Sequence, residues 1–265
     1  MDYLYQPYAA KRNTIFSKKG MVATSQPLAA QAGLEILQKG GNAIDAAIAT
    51  AAALTVVEPT SNGIGGDAFA LVWTKDKLHG LNASGPAPKS ISAKAIRDKG
   101  HEKMPVFGVI PVTVPGVPAA WAELSERFGK LSLNEVLAPA IRYAEEGYPL
   151  TPILGKYWKL AYDKYKTTFT SEEFASWFET FAPNDRAPEI GEMWSSPGHA
   201  STLRSIAETN ARSFYEGELA DKIDAFMNEH DGYLSKEDLM SYKPQWVEPV
   251  SSNYSGYDVW EIPTN

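Results

Sequence analysis

The sequence predicts an α+β protein in which helices cover a sheet, and three observations carry that prediction. An Ala-rich helical pattern over residues 43–57 runs into a glycine-rich loop and then into a hairpin of short apolar strands. A long block of helical patterns follows Pro115. Two more strand patterns close the chain, so helices and strands are segregated, as in a sandwich whose sheets are covered by helices.

Each element has a local reason. Residues up to about Ser17 lack periodicity and read as an irregular lead-in, followed by a short strand at 21–24. Ser25 can cap the helix over 26–39, with Pro27 tolerated in its first turn. Leu28, Leu34 and Leu37 give that helix an amphipathic spacing. Gly40 and Gly41 end it, because glycine enters the left-handed region freely, and Asn42 caps the next helix. Residues 43–57 are so apolar that they must be packed on most sides. They fall short of a membrane span, and Asp45 interrupts them. Residues 69–73 and 78–82 read as a hairpin joined through Lys75-Asp76-Lys77. Helices are expected over 117–128, 133–146 and 153–164, the third opened by Thr151-Pro152. The prolines of 183–197 mark a surface loop, after which helices resume over 200–209, 217–228 and 236–242. Strands over 246–250 and 257–262 complete the pattern.

Composition excludes several functions. Net charge is −7 and no basic cluster exceeds the Lys18-Lys19 pair, which argues against nucleic acid and anionic membrane surfaces as partners. With no cysteine, disulfides, thiolate metal sites and cysteine nucleophiles are all excluded. His79, His101, His199 and His230 lack ligand spacing, so no metal site is expected. The stretch Met1-Asp2-Tyr3-Leu4-Tyr5-Gln6-Pro7-Tyr8 has no basic region followed by an apolar one, so no signal peptide is visible and a cytoplasmic protein is expected. The acids Glu145, Glu146, Asp221, Asp224 and Glu229 read as solvated surface. Tyr157, Trp158, Tyr162 and Tyr165 share helical spacing and are expected to pack on another half of the protein or on a partner, with a ligand shelf as the alternative. Asn62-Gly63-Ile64-Gly65-Gly66-Asp67 could cradle a phosphate, but phosphate loops run strand, glycines, helix, and here the order is helix, glycines, strand. Tight packing of that loop against the sheet is the expectation, with Asp67 given no catalytic role.

Six segments in order resemble the large subunit of gamma-glutamyltranspeptidases and the related cephalosporin (glutaryl) acylases. They begin with Gly20-Met21-Val22-Ala23-Thr24, the run from Gly40 to Phe69, and Pro111-Val112-Thr113-Val114-Pro115-Gly116-Val117. They continue with Phe214-Tyr215-Glu216-Gly217, Gly232-Tyr233-Leu234-Ser235-Lys236-Glu237-Asp238-Leu239 and Tyr254-Ser255-Gly256-Tyr257-Asp258-Val259. The resemblance implies an N-terminal-nucleophile hydrolase fold, a four-layer αββα sandwich to which this chain supplies the helix-rich part. Residues 1–265 would be the N-terminal, large-subunit portion of one such domain, incomplete at the C-terminus.

The resemblance also implies a chemistry. A precursor cuts itself to expose a threonine whose own amine is the base for its hydroxyl, and the threonine attacks an amide to form an acyl-enzyme. No cofactor is implied, since amine, hydroxyl and backbone amides suffice. That threonine is expected beyond Asn265. Thr264 reads as a chain-end residue, with no strand behind it, so no catalytic residue is assigned within the chain. The implied partners are the small subunit, or remainder of the precursor, and a small amide or gamma-glutamyl-type substrate.

One substrate-binding position of the family falls within the chain. There an arginine after the hairpin grips the substrate's alpha-carboxylate, a role suited to its planar fork. The matching segment is Leu81-Asn82-Ala83-Ser84-Gly85-Pro86-Ala87-Pro88, with Ser84 at the arginine position and no arginine between Arg12 and Arg97. A serine supplies no charge, and losing such a contact costs about 1.5–3 kcal/mol. The expectation is therefore an acylase-like acyl group rather than gamma-glutamyl, with Ser84 and Asn82 as substrate-binding candidates and a turn-forming role as the alternative for each. The rival from another class is a non-catalytic binding or scaffold module on the same fold half.

Overall fold

The computed structural model describes residues 14–264, so the segment 1–8 considered for a signal peptide lies outside the described residues. The chain opens with α1 (Pro27–Gln38) and α2 (Ala43–Val57), an antiparallel-type pair joined through Gly40, whose φ of +93° ends α1. A hairpin follows, β1 (Ala68–Thr74) and β2 (Lys77–Ala83), turned through Lys75 and Asp76, both at positive φ as a two-residue hairpin turn demands. A short α3 (Ala93–Asp98) precedes the helical block: α4 (Val117–Phe128), α5 (Leu133–Glu146), the two-residue β3 (Tyr148–Pro149) and α6 (Pro152–Thr168). Then come α7 (Ala175–Phe181), β4 (Met193–Trp194), α8 (Pro197–Thr209), α9 (Arg212–Tyr215), α10 (Glu218–Glu229) and α11 (Lys236–Ser241). The chain closes with β5 (Gln245–Val247), β6 (Val250–Tyr254) and β7 (Tyr257–Glu261).

The core lies where α2 is surrounded by α1, α4 and α5, with α8 packed on the far side of α5. Ala49, Ala52, Ala53, Val56 and Val57 of α2 are fully buried, as expected for a helix apolar on every side. Asp45 does not merely interrupt this helix. Its carboxylate is buried, completes a capping box with Asn42, and accepts from the amides of Lys130 and Leu131 at the turn before α5. One acidic side chain thus satisfies donors of two separate segments.

The sheets of this part of the fold are small and antiparallel. β2 is the centre of a three-stranded antiparallel sheet, β1-β2-β5, while β3-β4 and β6-β7 are separate two-stranded ribbons. No helix among the described residues is long and apolar enough to cross a membrane.

Several local expectations are corrected. Residues 21–24 form no strand, because no described strand pairs with them and an extended segment without a ladder leaves its amides unmatched. Gln26, not Ser25, caps α1, and the Ser25 hydroxyl instead donates to Glu58 at 2.6 Å. Thr151 holds the cap position of α6 by backbone geometry alone, with no side-chain bond. The strand expected over 246–250 is divided, with β5 joining β2 and β6 pairing with β7. The aromatic residues of α6 do not await a partner: Trp158 and Tyr162 are buried internally. The Trp158 ring packs on Phe181 and Trp194, and its Nε1 donates to the Phe181 carbonyl at 2.8 Å. Helix α7, which had no signature in the sequence, supplies that cover, and only Tyr157 of the expected set stays well exposed.

Candidate functional site

Three segments with sequence signatures meet at one place. Gly85, at φ +76°, and Gly116 lie where the loop after β2 touches the Pro115-Gly116 turn, backbone against backbone. A Cβ on Gly116 would sit 1.7 Å from the Ala83 carbonyl, and one on Gly85 would sit 1.8 Å from that of Val114, so no side chain fits at either position. The Val114 amide donates to the Pro86 carbonyl at 3.0 Å. The glycine-rich loop joins in through Gly66, whose carbonyl accepts from the amides of Gly116 and Val117 and so caps α4 in place of a side chain.

Residues distant in sequence brace this junction. Tyr215 donates from its hydroxyl to the Pro115 carbonyl at 2.7 Å and accepts from the Ala119 amide at 3.1 Å, while burial raises its pKa. Asp238 caps α11 through Ser235 and also accepts from the Lys89 amide at 3.0 Å, which tethers the strand-to-helix segment that follows Ser84. Burial pushes the Asp238 carboxyl up, yet the bonds from Lys89 and Ser235 outweigh it and hold the pKa below its ordinary value. Trp246 of β5 donates to Glu123 of α4 at 2.6 Å and lies under the Arg127 guanidinium, fixing β5 against α4.

Asn82 and Ser84, the two residues singled out from the sequence, are brought together at the rim of this junction. The Asn82 Oδ1 accepts from the Ser84 amide at 3.0 Å, an Asx-type bond that ends β2 and turns Ser84 outward from the ladder. Both line a cavity of about 420 Å³, whose opposite wall is formed by Tyr242, Lys243 and Gln245 from the connection into β5. That wall had no signature in the sequence, because only the pairing of Asn82 with Gln245 across β2 and β5 places it there. Tyr242 is the half-buried member of this wall. Its hydroxyl lies over Gly116, has no hydrogen-bond partner among the described residues, and is pushed up by burial to a pKa of about 12.

Other candidates stay apart. The expected tight packing of the glycine-rich loop is not found: Gly63, Gly65, Gly66 and Asp67 are exposed, and a Cβ at Gly63 or Gly65 would meet nothing within 4 Å. The loop is held at its two ends, by the Gly66 carbonyl and by Asn62, which donates to Glu58 at 3.0 Å, with Ile64 packed against the core between them. His79 packs tilted against Phe128 and edge-on to Trp246, and His230 packs on Phe226. No group of three metal-ligating side chains occurs among the described residues. Glu145 pairs with Arg204 and Asp221 with Lys236, as solvated charges do.

A small sheet under a helical block, with a glycine-rich loop, a Pro-Gly turn and the end of a central strand joined in one corner, defines the class. The gamma-glutamyltranspeptidase family matches residues 29–265, and the chain belongs to that family. It is 66% identical to a cephalosporin acylase from Bacillus halodurans, whose crystal structure agrees with a TM-score of 0.95 over 99% of this chain and 49% of that one. The gamma-glutamyltranspeptidase of Helicobacter pylori is 30% identical, with a TM-score of 0.87 over 94% of this chain and 71% of that one. The glutathione hydrolase-like YwrD proenzyme of Bacillus subtilis (strain 168) is 34% identical over 256 residues, which is 95% of this chain and 47% of that protein. The chain spans less than half the length of the curated relatives it matches. Its fold is the large-subunit part of this N-terminal-nucleophile hydrolase type.

Proposed function

We propose that residues 1–265 form the large-subunit portion of an acylase-type amidohydrolase. In this reading a threonine hydroxyl supplied from beyond Asn265 attacks an amide, an acyl-enzyme forms, and water or an amine takes the acyl group. The cavity beside Ser84 receives the acyl portion. The observation that carries the reading is the composition of its wall, which among the described residues offers hydroxyl, amide and ammonium groups but no guanidinium. Without that fork the bidentate grip on an alpha-amino-acid carboxylate is lost. The likeness to the Bacillus halodurans cephalosporin acylase supports the same choice.

The partner of the chain is the remainder of the longer protein. Phe69, Leu71 and Trp73 alternate along one face of β1 and are exposed, as are Tyr254, Tyr257, Val259 and Trp260 on the β6-β7 ribbon. Exposed apolar strands of this extent call for a covering layer. The chain alone is catalytically silent, for it contributes no nucleophile.

The test compares glutaryl-p-nitroanilide with gamma-glutamyl-p-nitroanilide on the complete gene product. Faster turnover of the glutaryl compound is expected, with none by residues 1–265 alone. Equal or faster turnover of the gamma-glutamyl compound would overturn the acylase assignment. Complete inactivity on every anilide would favour a non-catalytic scaffold instead.

A further inference from the structure

Helix α6 is packed on one side and apolar on the other. Trp158 and Tyr162 are buried on its inner side. Ile153, Tyr157 and Leu160, at i, i+4 and i+7, form one stripe on the opposite side, and each is more than half exposed. Between α6 and the loop over 186–190 runs a groove of about 640 Å³, with Leu160 on the helix wall and Ile190, also more than half exposed, on the loop wall. The two walls are fixed to each other. Ile190 lies so close over Gly155 that a Cβ there would meet its Cγ1 at 2.8 Å. The Tyr162 hydroxyl donates to the Asp185 carbonyl, and Lys166 donates to the Asp185 carboxylate at 2.8 Å, which ties the start of the loop to the helix.

The charges around this groove are of two kinds. Lys159 pairs with Asp163, Lys166 with Asp185 and Arg186 with Glu192, so these are neutralised within the chain. Lys156 on the helix wall and Glu189 on the loop wall are exposed, and their side chains make no ion pair or hydrogen bond among the described residues. A cation and an anion without partners thus stand on opposite walls of one apolar groove. A patch of a single charge sign repels its own copy, whereas this one is complementary to itself. A twofold axis through the groove sets Lys156 of each copy against Glu189 of the other, and the apolar stripe against its own image.

We infer that the outer face of α6 is the surface through which two copies of the protein associate. The Ile153–Tyr157–Leu160 stripe and Ile190 form the apolar centre of that interface, and two symmetry-related Lys156–Glu189 pairs lie at its rim, as a polar rim around an apolar centre requires. The remainder of the longer protein is a different partner with a different place. It is called for at the exposed strands β1, β6 and β7, to which α6 makes no hydrogen bond or ring contact among the described residues. An apolar stripe of this kind calls for a cover, and a second copy satisfies the stripe and both unpaired charges in one operation.

The experiment measures the mass of the complete gene product by sedimentation equilibrium over a dilution series. A mass of two copies is expected, and Leu160→Asp is expected to halve it with the circular dichroism unchanged. Lys156→Glu brings like charges together across the axis and is expected to weaken association by about tenfold or more. Glu189→Lys should do the same. The double variant Lys156→Glu/Glu189→Lys is expected to restore association, because the reversed pairs are again complementary, a rescue that a merely local role of either residue would not produce. A single-copy mass for the wild type overturns the inference, and so does a dimer that survives Leu160→Asp and both single reversals. If Leu160→Asp unfolds the protein, the reversals decide alone, since both side chains are exposed: weakening with rescue upholds the interface, and weakening without rescue overturns it.

Discussion

The α2–α5–α8 block and the β1/β6–β7 face both carry large apolar side chains and have opposite fates. In the block and in α6 beside it, Leu137, Leu203, Ile206 and Trp158 are almost wholly buried, and the Tyr148 hydroxyl and Trp158 Nε1 are paired with backbone carbonyls. On the strand face, Trp73, Tyr254 and Tyr257 are mostly exposed, and every residue of β6 and β7 is open to solvent. The block is finished within this chain. The face is not, and the candidate site lies at the boundary, where the end of β2 meets the turn before α4. Hydrophobicity alone therefore does not tell a core from an interface; what distinguishes them is whether the chain itself brings a second layer.

That contrast can be broken at several points. Trp158→Ala should have the largest effect, about 3–5 kcal/mol of stability, because it empties a buried aromatic site and orphans the Phe181 carbonyl. Urea denaturation would measure it, and a loss under 1 kcal/mol would show that the block is not the independently stable half. Acidification should follow closely. Burial lowers the His199 pKa from 6.5 to about 4, so between those values the unfolded chain takes up a proton that the folded chain refuses. Stability is then full above pH 6.5 and falls as pH drops, by about 3 kcal/mol on reaching pH 4. His199→Asn should flatten that slope; an unchanged slope in matched denaturation curves would remove His199 from the account.

Asp45→Ala should cost at least about 2 kcal/mol, as the amides of Asn42 and Lys130 lose a common acceptor. Restoring only the cap, with Asp45→Asn, should recover part of it in the same melts. Trp73→Ser sharpens the comparison from the other side. In residues 1–265 alone its effect should stay within about 0.5 kcal/mol, since the side chain is 66% exposed. In the complete gene product it should cost several times more, and equal effects in the two settings would show that nothing covers β1.

Much of the fold was legible in the sequence because its cues are local. Asn42 capped α2 and Gly40 ended α1 where expected, and the Lys75-Asp76 hairpin formed. These depend on residues within one turn of each other. Gln26 displaced Ser25 as a cap, and α7 was not visible, because each is decided by what packs over it. The segment 21–24 reads as a strand but has no described partner, and pairing is not a property of one segment.

The site divides the same way. The sequence by itself determined that Asn82 and Ser84 would end a strand of a small sheet, because strand, Asx bond and glycine turn are neighbours along the chain. Only the tertiary structure decided what faces them. The β2–β5 pairing brings Gln245, with Tyr242 and Lys243 just before the strand, across some 160 residues to the other wall of the cavity. Local chemistry bends a chain at a given residue; which side chains stand across from that bend is set by long-range pairing.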